Sequence, residues 1–392
     1  MNSPLEGKLI VVGVTGSVAA IESPKLVREL RRKGAEVVCV MTNDAQGIIH
    51  PNVLQWASRN EVIIKIDGRT QHVEFLGKEG TAHLLLIAPC TANTIGKIAY
   101  GIDDTSVTTF TTTAFGSGIP IAIVPAMDLA MYDHPIVKEN IEKLKKLGVD
   151  FLDPRIDENK AKMMDFAAIV ETISMKFYPK DCNGRKIVVT AGPTTESIDP
   201  IRVLTNLSSG KMGVYIAEEA YRRGADVLLL KGRGAVETNY PIKVIEFSSS
   251  SDLYDTMKKE SPFADIIIHA AAVSDFTVQS SVEKLDSYKT IQLSLAPSLK
   301  IIDEIKKWNP HCVLIGFKAE SGVSENELIS GAQTLLQRTH ADIVVANDIG
   351  KEGCEFGSEC NEVYMITPSK TEKISLMPKK EIATKILNNI VR

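Results

Sequence analysis

The chain offers little that would tie it to nucleic acid, to a bilayer or to an oxidising compartment. Lys and Arg number 45 against 49 Asp and Glu, so the net charge of -4 leaves no basic surplus for a phosphate backbone. No apolar run approaches the roughly 20 residues that span a membrane. The opening MNSPLEGKLIVVGVTG breaks into a glycine turn before a signal-peptide core could form. Six cysteines (Cys39, Cys90, Cys182, Cys312, Cys354, Cys360) are scattered and none forms a C-x-x-C pair. That spacing speaks against a structural zinc site or a disulfide framework. A G-x-G-x-x-G fingerprint is also missing, which speaks against a nicotinamide dehydrogenase. A cytoplasmic protein without nucleic-acid or membrane partners is the expectation.

What is present suits a globular chain of 392 residues, 44% hydrophobic and 24% charged, with room for two domains. Apolar β-branched runs alternate with helical patterns throughout, which predicts an α/β fold with two doubly wound, Rossmann-like domains. The polar, turn-rich Pro179–Gly184 separates residues 1–178 from residues 185–392. In the first half, strands are expected at Lys8–Val14, Glu36–Met41, Val62–Ile66, His83–Ala88, Ile119–Val124 and Leu147–Ile156, and a helix at Val18–Lys33. Gly13, Thr15, Gly16, Ser17 and Thr42 fall at strand C-terminal ends, where such sheets bind ligands. For these residues alone, a turn with a helix cap is the commoner explanation. His72 falls in a loop, where a lone histidine is ordinarily solvated or packed.

The stretch Ile187–Gly213, IVVTAGPTTESIDPIRVLTNLSSGKMG, organises the second half. A buried strand breaks at Gly192 and Pro193, a polar loop follows, and a helix is predicted over Met212–Arg223. Strand, glycine turn and helix is the layout of a phosphate-binding βα unit. Further strands are expected at Asp226–Leu230, Lys243–Phe247, Asp265–Val273, Thr290–Leu295, Cys312–Phe317 and Ile343–Ala346. Helices are expected over Pro297–Trp308 and Glu325–Arg338, and a closing hairpin over Glu355–Ser358 and Val363–Thr367.

His72, the Pro89-Cys90-Thr91-Ala92-Asn93-Thr94 segment and the Pro125-Ala126-Met127-x-x-x-Met131 segment occur in that order. Over about residues 8–170 the chain resembles the homo-oligomeric flavin-containing cysteine decarboxylases. The resemblance implies a flavodoxin-like domain with FMN at trimer contacts. It implies that Gly13, Thr15, Gly16, Ser17, Thr42, Ala88, Pro89, Thr91, Ser106, Ala126 and Met127 hold the flavin. His72 would be the acid/base group, and Asn93, Asp128 and Met131 would hold the substrate carboxylate against the flavin. Two departures stand out. The family often carries asparagine at the place of Asp128, and its lid cysteine has no counterpart in residues 148–170.

From about residue 185 to 390, the chain looks like the phosphopantothenate–cysteine ligases. The carrying residues are Ala191–Thr194, Asp199–Arg202, Asn206–Gly213, Ala270–Phe276, Gly316–Glu320 and Ala346–Asp348. This resemblance implies a dimeric domain that activates a carboxylate with CTP and Mg²⁺. Gly192, Ala271, Asp275, Lys284, Pro297, Ser298, Leu299, Lys300, Phe317 and Arg338 would line the nucleotide, with Asp275 toward the metal. Asn206 would handle the acyl-cytidylate, and Arg202 and Lys211 the substrate phosphate or carboxylate. The two halves together resemble the bifunctional decarboxylase–ligase family of coenzyme A biosynthesis, with phosphopantothenate, cysteine and CTP as substrates. The alternative keeps the ligase and makes the first half a flavin-binding regulatory module that does not decarboxylate.

Overall fold

Buried strands alternating with amphipathic helices build two separate parallel sheets. The computed structural model describes residues 3–288 and 290–391. It divides into two units, Met1–Tyr178 and Pro179–Arg392.

In the first unit the strands are β1 Leu9–Val14, β2 Glu36–Met41, β3 Leu84–Cys90, β4 Ile121–Pro125, β5 Met127–Asp128, β6 Asp150–Phe151, β7 Arg155–Asp157 and β8 Lys160–Lys162. Five of them form a parallel sheet in the order β2-β1-β3-β4-β6. All six residues of β1 are buried, because both faces are covered. Ile10 and Val12 join a layer with Leu26, Leu30 and Ile169, while Val11 joins the opposite layer with Ile95, Phe110 and Ile141. That alternation is the period-2 rule of a strand.

Several elements differ from expectation. The predicted helix over Val18–Lys33 is a 3₁₀ turn, Val18–Glu22, followed by an α-helix, Ser23–Arg32. Pro24 explains the break, since it has no amide for a continuing helix and fits only a first turn. Val62–Ile66 is not a strand, and only Ile63 bridges to Val40. His72 sits in a short helix, Gln71–Leu76, rather than a loop. The expected Leu147–Ile156 strand contributes only β6 to the main sheet. Beyond it, β7 and β8 form a hairpin whose turn residues Glu158 and Asn159 have φ of 48° and 57°. This hairpin pairs with β5 as a small antiparallel sheet of order β5-β8-β7.

The second unit contains β9 Lys186–Ala191, β10 Thr195–Ser197, β11 Val203–Thr205, β12 Asp226–Gly232, β13 Lys243–Phe247, β14 Ile266–His269, β15 Phe276–Val278 and β16 Leu295–Pro297. β17 Val313–Glu320, β18 Ile343–Asp348, β19 Cys360–Ile366 and β20 Thr371–Pro378 complete it. Eight strands form one sheet in the order β13-β12-β9-β14-β17-β18-β19-β20. The first six run parallel, β19 is antiparallel to β18, and β20 is antiparallel to β19. β14 ends at His269, but Ala272 keeps the same parallel register beyond it as an isolated bridge to Pro193, and Ala272 N donates to Gly192 O at 2.9 Å. The closing hairpin is β19–β20, displaced toward the C-terminus from the expected one, and the Lys379–Ile390 helix after it was not anticipated. The Pro297–Trp308 helix begins only at Ile302, and the Thr290–Leu295 strand only at Leu295. The pairs β10–β11 and β15–β16 stand outside the main sheet. Around them Phe276, Leu295, Leu299, Val203 and Leu207 are exposed.

The Lys211–Arg222 helix lies directly on β9, and a Cβ on Gly213 would fall 2.7 Å from Ala191 Cβ and 2.8 Å from Thr190 O. Gly213→Ala should therefore destabilise the second unit by about 1–3 kcal/mol through overpacking. Gly331, also helical, has only Lys318 Cε at 3.7 Å in its way. Gly331→Ala should instead be neutral or stabilising by up to about 1 kcal/mol. Urea denaturation of both variants checks the contrast.

Candidate active sites

A cleft of about 660 Å³ opens at the C-terminal end of the parallel strands of the second unit. Its walls are Thr205–Gly213, Ala270–Val273, Asp275, Phe317–Ser321, Asn347, Ile349, Cys354–Gly357, Asn361 and Lys379. This edge is where ligands bind in doubly wound sheets. The Lys211–Arg222 helix starts from Gly210 with no side-chain cap, so its first amides are left for a ligand. Gly210 has φ +70°, and a Cβ there would lie 2.5 Å from Ala235 Cβ.

Asn206 Nδ2 donates to Ala272 O at 3.1 Å and Val273 O at 3.3 Å, which fixes the amide against the cleft wall. Lys211 Nζ donates to Gly357 O at 2.6 Å and to Glu359 Oε1 at 2.6 Å. Lys379 Nζ donates to Ser358 O at 2.6 Å. Burial, together with the neighbouring Lys211 charge, pushes the Lys379 ammonium below its ordinary value. Two lysines thus hold one loop, Cys354–Glu359, beside the open helix terminus. Beneath the cleft, Thr190 Oγ1 accepts Ala271 N at 3.0 Å and lies 3.2 Å from His269 Nδ1. Burial lowers His269 to about 4, so its imidazole is neutral at physiological pH.

Among the expected ligase residues, Asn206, Lys211, Ala271, Asp275 and Phe317 share this cleft. Gly192 lies next to it, packed on Ala235. Arg202, Lys284, Pro297, Ser298, Leu299, Lys300 and Arg338 do not line it. Arg202 is turned to its own loop, where Nη1 donates to Asp199 Oδ2 at 2.7 Å and Leu285 O at 3.2 Å. Lys300 pairs with Asp275, and Arg338 Nε meets Asp303 at 3.2 Å. Ser298 Oγ donates to Ser274 O. Lys379, Asn361 and the Cys354–Gly357 loop line the cleft without having been expected there. The glycines at Gly353 and Gly357, both at positive φ, mark that loop. Among the described residues no three His, Cys, Asp or Glu side chains gather into a metal site.

The first unit carries a cleft of about 610 Å³, lined by Ser17–Ala19, Ile21, Glu22, Ala126–Asp128, Arg155 and Lys160–Phe166. Ser17 Oγ donates to Ala126 O at 3.1 Å. Thr15 Oγ1 donates to Pro89 O at 2.9 Å and accepts Thr91 N at 3.1 Å. The Ala88–Pro89 peptide is cis. Thr42 and Thr91 cap helices through Ala45 N and Thr94 N, and Ser106 Oγ donates to Ile64 O at 3.0 Å. These hydroxyls knit the strand ends together around Gly13 and Gly16. Asp128 Oδ1 accepts Ala130 N at 2.9 Å, and Met131 is 49% exposed. Asn93 is exposed on the first turn of its helix.

His72 lies on neither cleft. Its ring stands 6.4 Å from the Phe110 ring, and its Nδ1 is buried without a hydrogen-bond partner. Neither of these two clefts brings His72 and Asp128 together.

Two family models divide the chain at nearly the same place as its fold. Residues 1–178 match the flavoprotein family, and residues 182–392 match the C-terminal domain of DNA/pantothenate metabolism flavoproteins. The coenzyme A biosynthesis bifunctional protein CoaBC of Thermococcus kodakarensis is 48% identical over 390 residues, covering 98% of this chain and 95% of that protein. The chain belongs to the CoaBC family. The CoaBC of Methanocaldococcus jannaschii is 39% identical over 98% of this chain and 94% of its own length. A solved C-terminal domain of a CoaBC protein is similar at 30% identity and a TM-score of 0.46, covering 54% of this chain and 96% of that one. CoaBC proteins are bifunctional, with phosphopantothenoylcysteine decarboxylase and phosphopantothenate–cysteine ligase activities. The resemblance of both halves to that pair of enzymes is thus borne out. Among the described residues no helix is long and apolar enough to cross a membrane.

Asp199 supplies a pH test. Burial pulls its carboxyl upward, but the Ile201, Arg202 and Leu285 amides and the Arg202 guanidinium prevail and hold it at about 2, below the ordinary 3.8. A depressed carboxyl contributes stability above its unfolded value, and that stability is lost as pH falls through the folded one. The gap between the melting temperatures of the wild type and Asp199→Asn should therefore shrink as pH drops from about 5 toward 2. Differential scanning calorimetry across that range measures it.

Proposed function

We propose that the second unit joins phosphopantothenate to cysteine at the expense of CTP, and that the first unit removes carbon dioxide from the product with FMN. The observation that carries the ligase assignment is the convergence of an uncapped helix terminus, Lys211, Lys379 and Asn206 on one cleft. A carboxylate is a poor electrophile and must be activated. Its oxygen attacks the α-phosphorus of the nucleotide, pyrophosphate leaves, and the cysteine amine then displaces cytidylate from the acyl carbon. The amides after Gly210 and the ammonium of Lys211 stabilise the phosphate charge. Asn206 holds the polarised acyl group without adding charge. The backbone of Ala270–Val273 and the ring of Phe317 frame the base. Asp275 is engaged by Lys300, so no step is assigned to a protein-bound metal, and Mg²⁺ travels with the triphosphate as part of the substrate.

In the first unit, the strand-end residues Gly13–Ser17, Thr42, Ala88–Thr91, Ser106, Ala126 and Met127 would hold FMN. The orphaned Nδ1 of His72 supports a bound group near it, because a buried ring nitrogen without a partner is costly. When bound, the flavin supplies reversible two-electron chemistry at the thiol-bearing carbon, which turns loss of carbon dioxide into a favourable step. His72 holds the proton exchanged there, and Asn93 and the Ala126–Met131 segment position the substrate carboxylate. His72 does not line the Asp128 cleft, which supports a site completed between copies. The exposed Val18, Ile21 and Trp56 of the first unit and Phe276, Leu295 and Leu299 of the second support association into a homo-oligomer.

His72→Asn should abolish carbon dioxide release from phosphopantothenoylcysteine while ligation proceeds within about two-fold of wild type. Asn206→Asp should let the acyl-cytidylate accumulate, seen as pyrophosphate formed without a matching amount of amide by mass spectrometry. Equal damage to both half-reactions in either variant would overturn the division of labour. Pyrophosphate formation with ATP as readily as with CTP would overturn the nucleotide assignment.

A further inference from the structure

The cleft of the first unit poses an electrostatic problem. Asp128, exposed on its wall, is an anion where an anionic substrate group must sit. Like charges in one site are mutually destabilising unless a cation intervenes. The charged side chains on the walls are Glu22, Asp128, Asp165, Arg155, Lys160 and Lys162. Most are already committed. Glu22 pairs with Lys25 at 3.0 Å, and Asp165 caps Ala167 N at 2.9 Å. Lys162 is neutralised by its own hairpin, with Asp157 at 2.7 Å and Glu158 at 2.9 Å.

Lys160 is different. The antiparallel β5–β8 pairing sets it directly opposite Asp128. Residues so opposed carry their side chains on the same face, with Cβ atoms about 5 Å apart. Lys160 has no ion-pair partner among the described residues, and the second oxygen of Asp128 accepts no hydrogen bond there. The intervening Ala161 is buried at 1% exposure, which pins β8 and leaves the flanking lysines on the open side. Arg155 on β7 also lacks an ion-pair partner among the described residues, but its register partner is Lys162, whereas Asp157, which faces Lys160 from β7, is held by Lys162. Lys160 is thus the uncommitted cation that the strand register sets opposite Asp128.

We propose that Lys160 binds the carboxylate of the phosphopantothenoylcysteine substrate and, by offsetting Asp128, makes the Asp128–Lys160 pair the element that selects a carboxylate-bearing ligand. This rests on the decarboxylase reading of the first unit. The ligand carboxylate takes hydrogen bonds from the ammonium, while Asp128 keeps the lysine in place across the two strands. Removing the ammonium alone then leaves two anions facing each other. Removing both charges leaves a neutral wall.

The test uses the full-length protein with flavin bound and follows the flavin absorbance, which reports the first unit and not the ligase cleft. Two unreactive probes are titrated, phosphopantothenoylserine, which has the carboxylate but no thiol, and phosphopantothenoylethanolamine, which has neither. Lys160→Gln should weaken the serine probe about ten-fold and leave the ethanolamine probe within about two-fold. Adding Asp128→Asn to Lys160→Gln should recover at least about three-fold of the loss. Equal weakening of both probes, no weakening, or a double variant as poor as Lys160→Gln would each overturn the role of Lys160, and the decarboxylase reading would stand if wild type still released carbon dioxide. A wild type whose flavin responds to neither probe and which releases no carbon dioxide would overturn both.

Discussion

Three glycines and two alanine methyl groups set the geometry on which the cleft of the second unit depends. Ala235 presses against Gly192 and Gly210, and Ala191 presses against Gly213. The missing Cβ atoms let the β9 turn, the loop before the helix and the helix itself close to within backbone distance. Only then do the amides beyond Gly210 face the same space as Asn206, whose own amide is tied to Ala272 and Val273. The parallel bridge between Pro193 and Ala272 completes this frame by holding the two strand extensions side by side. Polar groups left over where strands stop are then available for a ligand, which is why the chemistry collects there.

The two units use this edge in different ways. In the second, the helix terminus is bare and the lysines come from distant parts of the chain, Lys211 at the first position of that helix and Lys379 after the final hairpin. In the first, serine and threonine hydroxyls are spent on one another's backbone, which ties β1, β3 and β4 together at their tips. That arrangement gives a firm floor rather than an anion cradle within one chain.

Most strands were legible because each is an apolar β-branched run, and β1, β3, β4, β9 and β14 are buried almost throughout. Ala270–Val273 read as strand because its apolar residues continue that run, yet the ladder lapses after His269, where Ala271 N turns to Thr190 Oγ1, and resumes only as the bridge of Ala272 to Pro193. Val62–Ile66 has the composition of a strand but reaches only an edge, where a single bridge forms. The β7–β8 hairpin was not legible, since its charged residues resemble a solvated loop and its partner β5 has only two residues. Asn206 and Lys211 were found because they sit in a compact motif beside a strand end. Lys379 was not, because it follows a sheet hairpin and only tertiary packing carries it back to the helix terminus. Arg202 shows the converse: its place in a motif suggested a ligand, whereas the fold gives it to the buried carboxylate of Asp199.

The cysteines of the first unit bear on how that half can be handled chemically. Cys39 and Cys90 are fully buried, and burial pushes the Cys39 thiol to about 12 and the Cys90 thiol higher. Both stay protonated and unreachable at neutral pH, so neither is a nucleophile. Maleimides and iodoacetamide will pass over the flavoprotein half of the folded enzyme, and label will collect in the other half at Cys360, the single cysteine of the chain that is not buried.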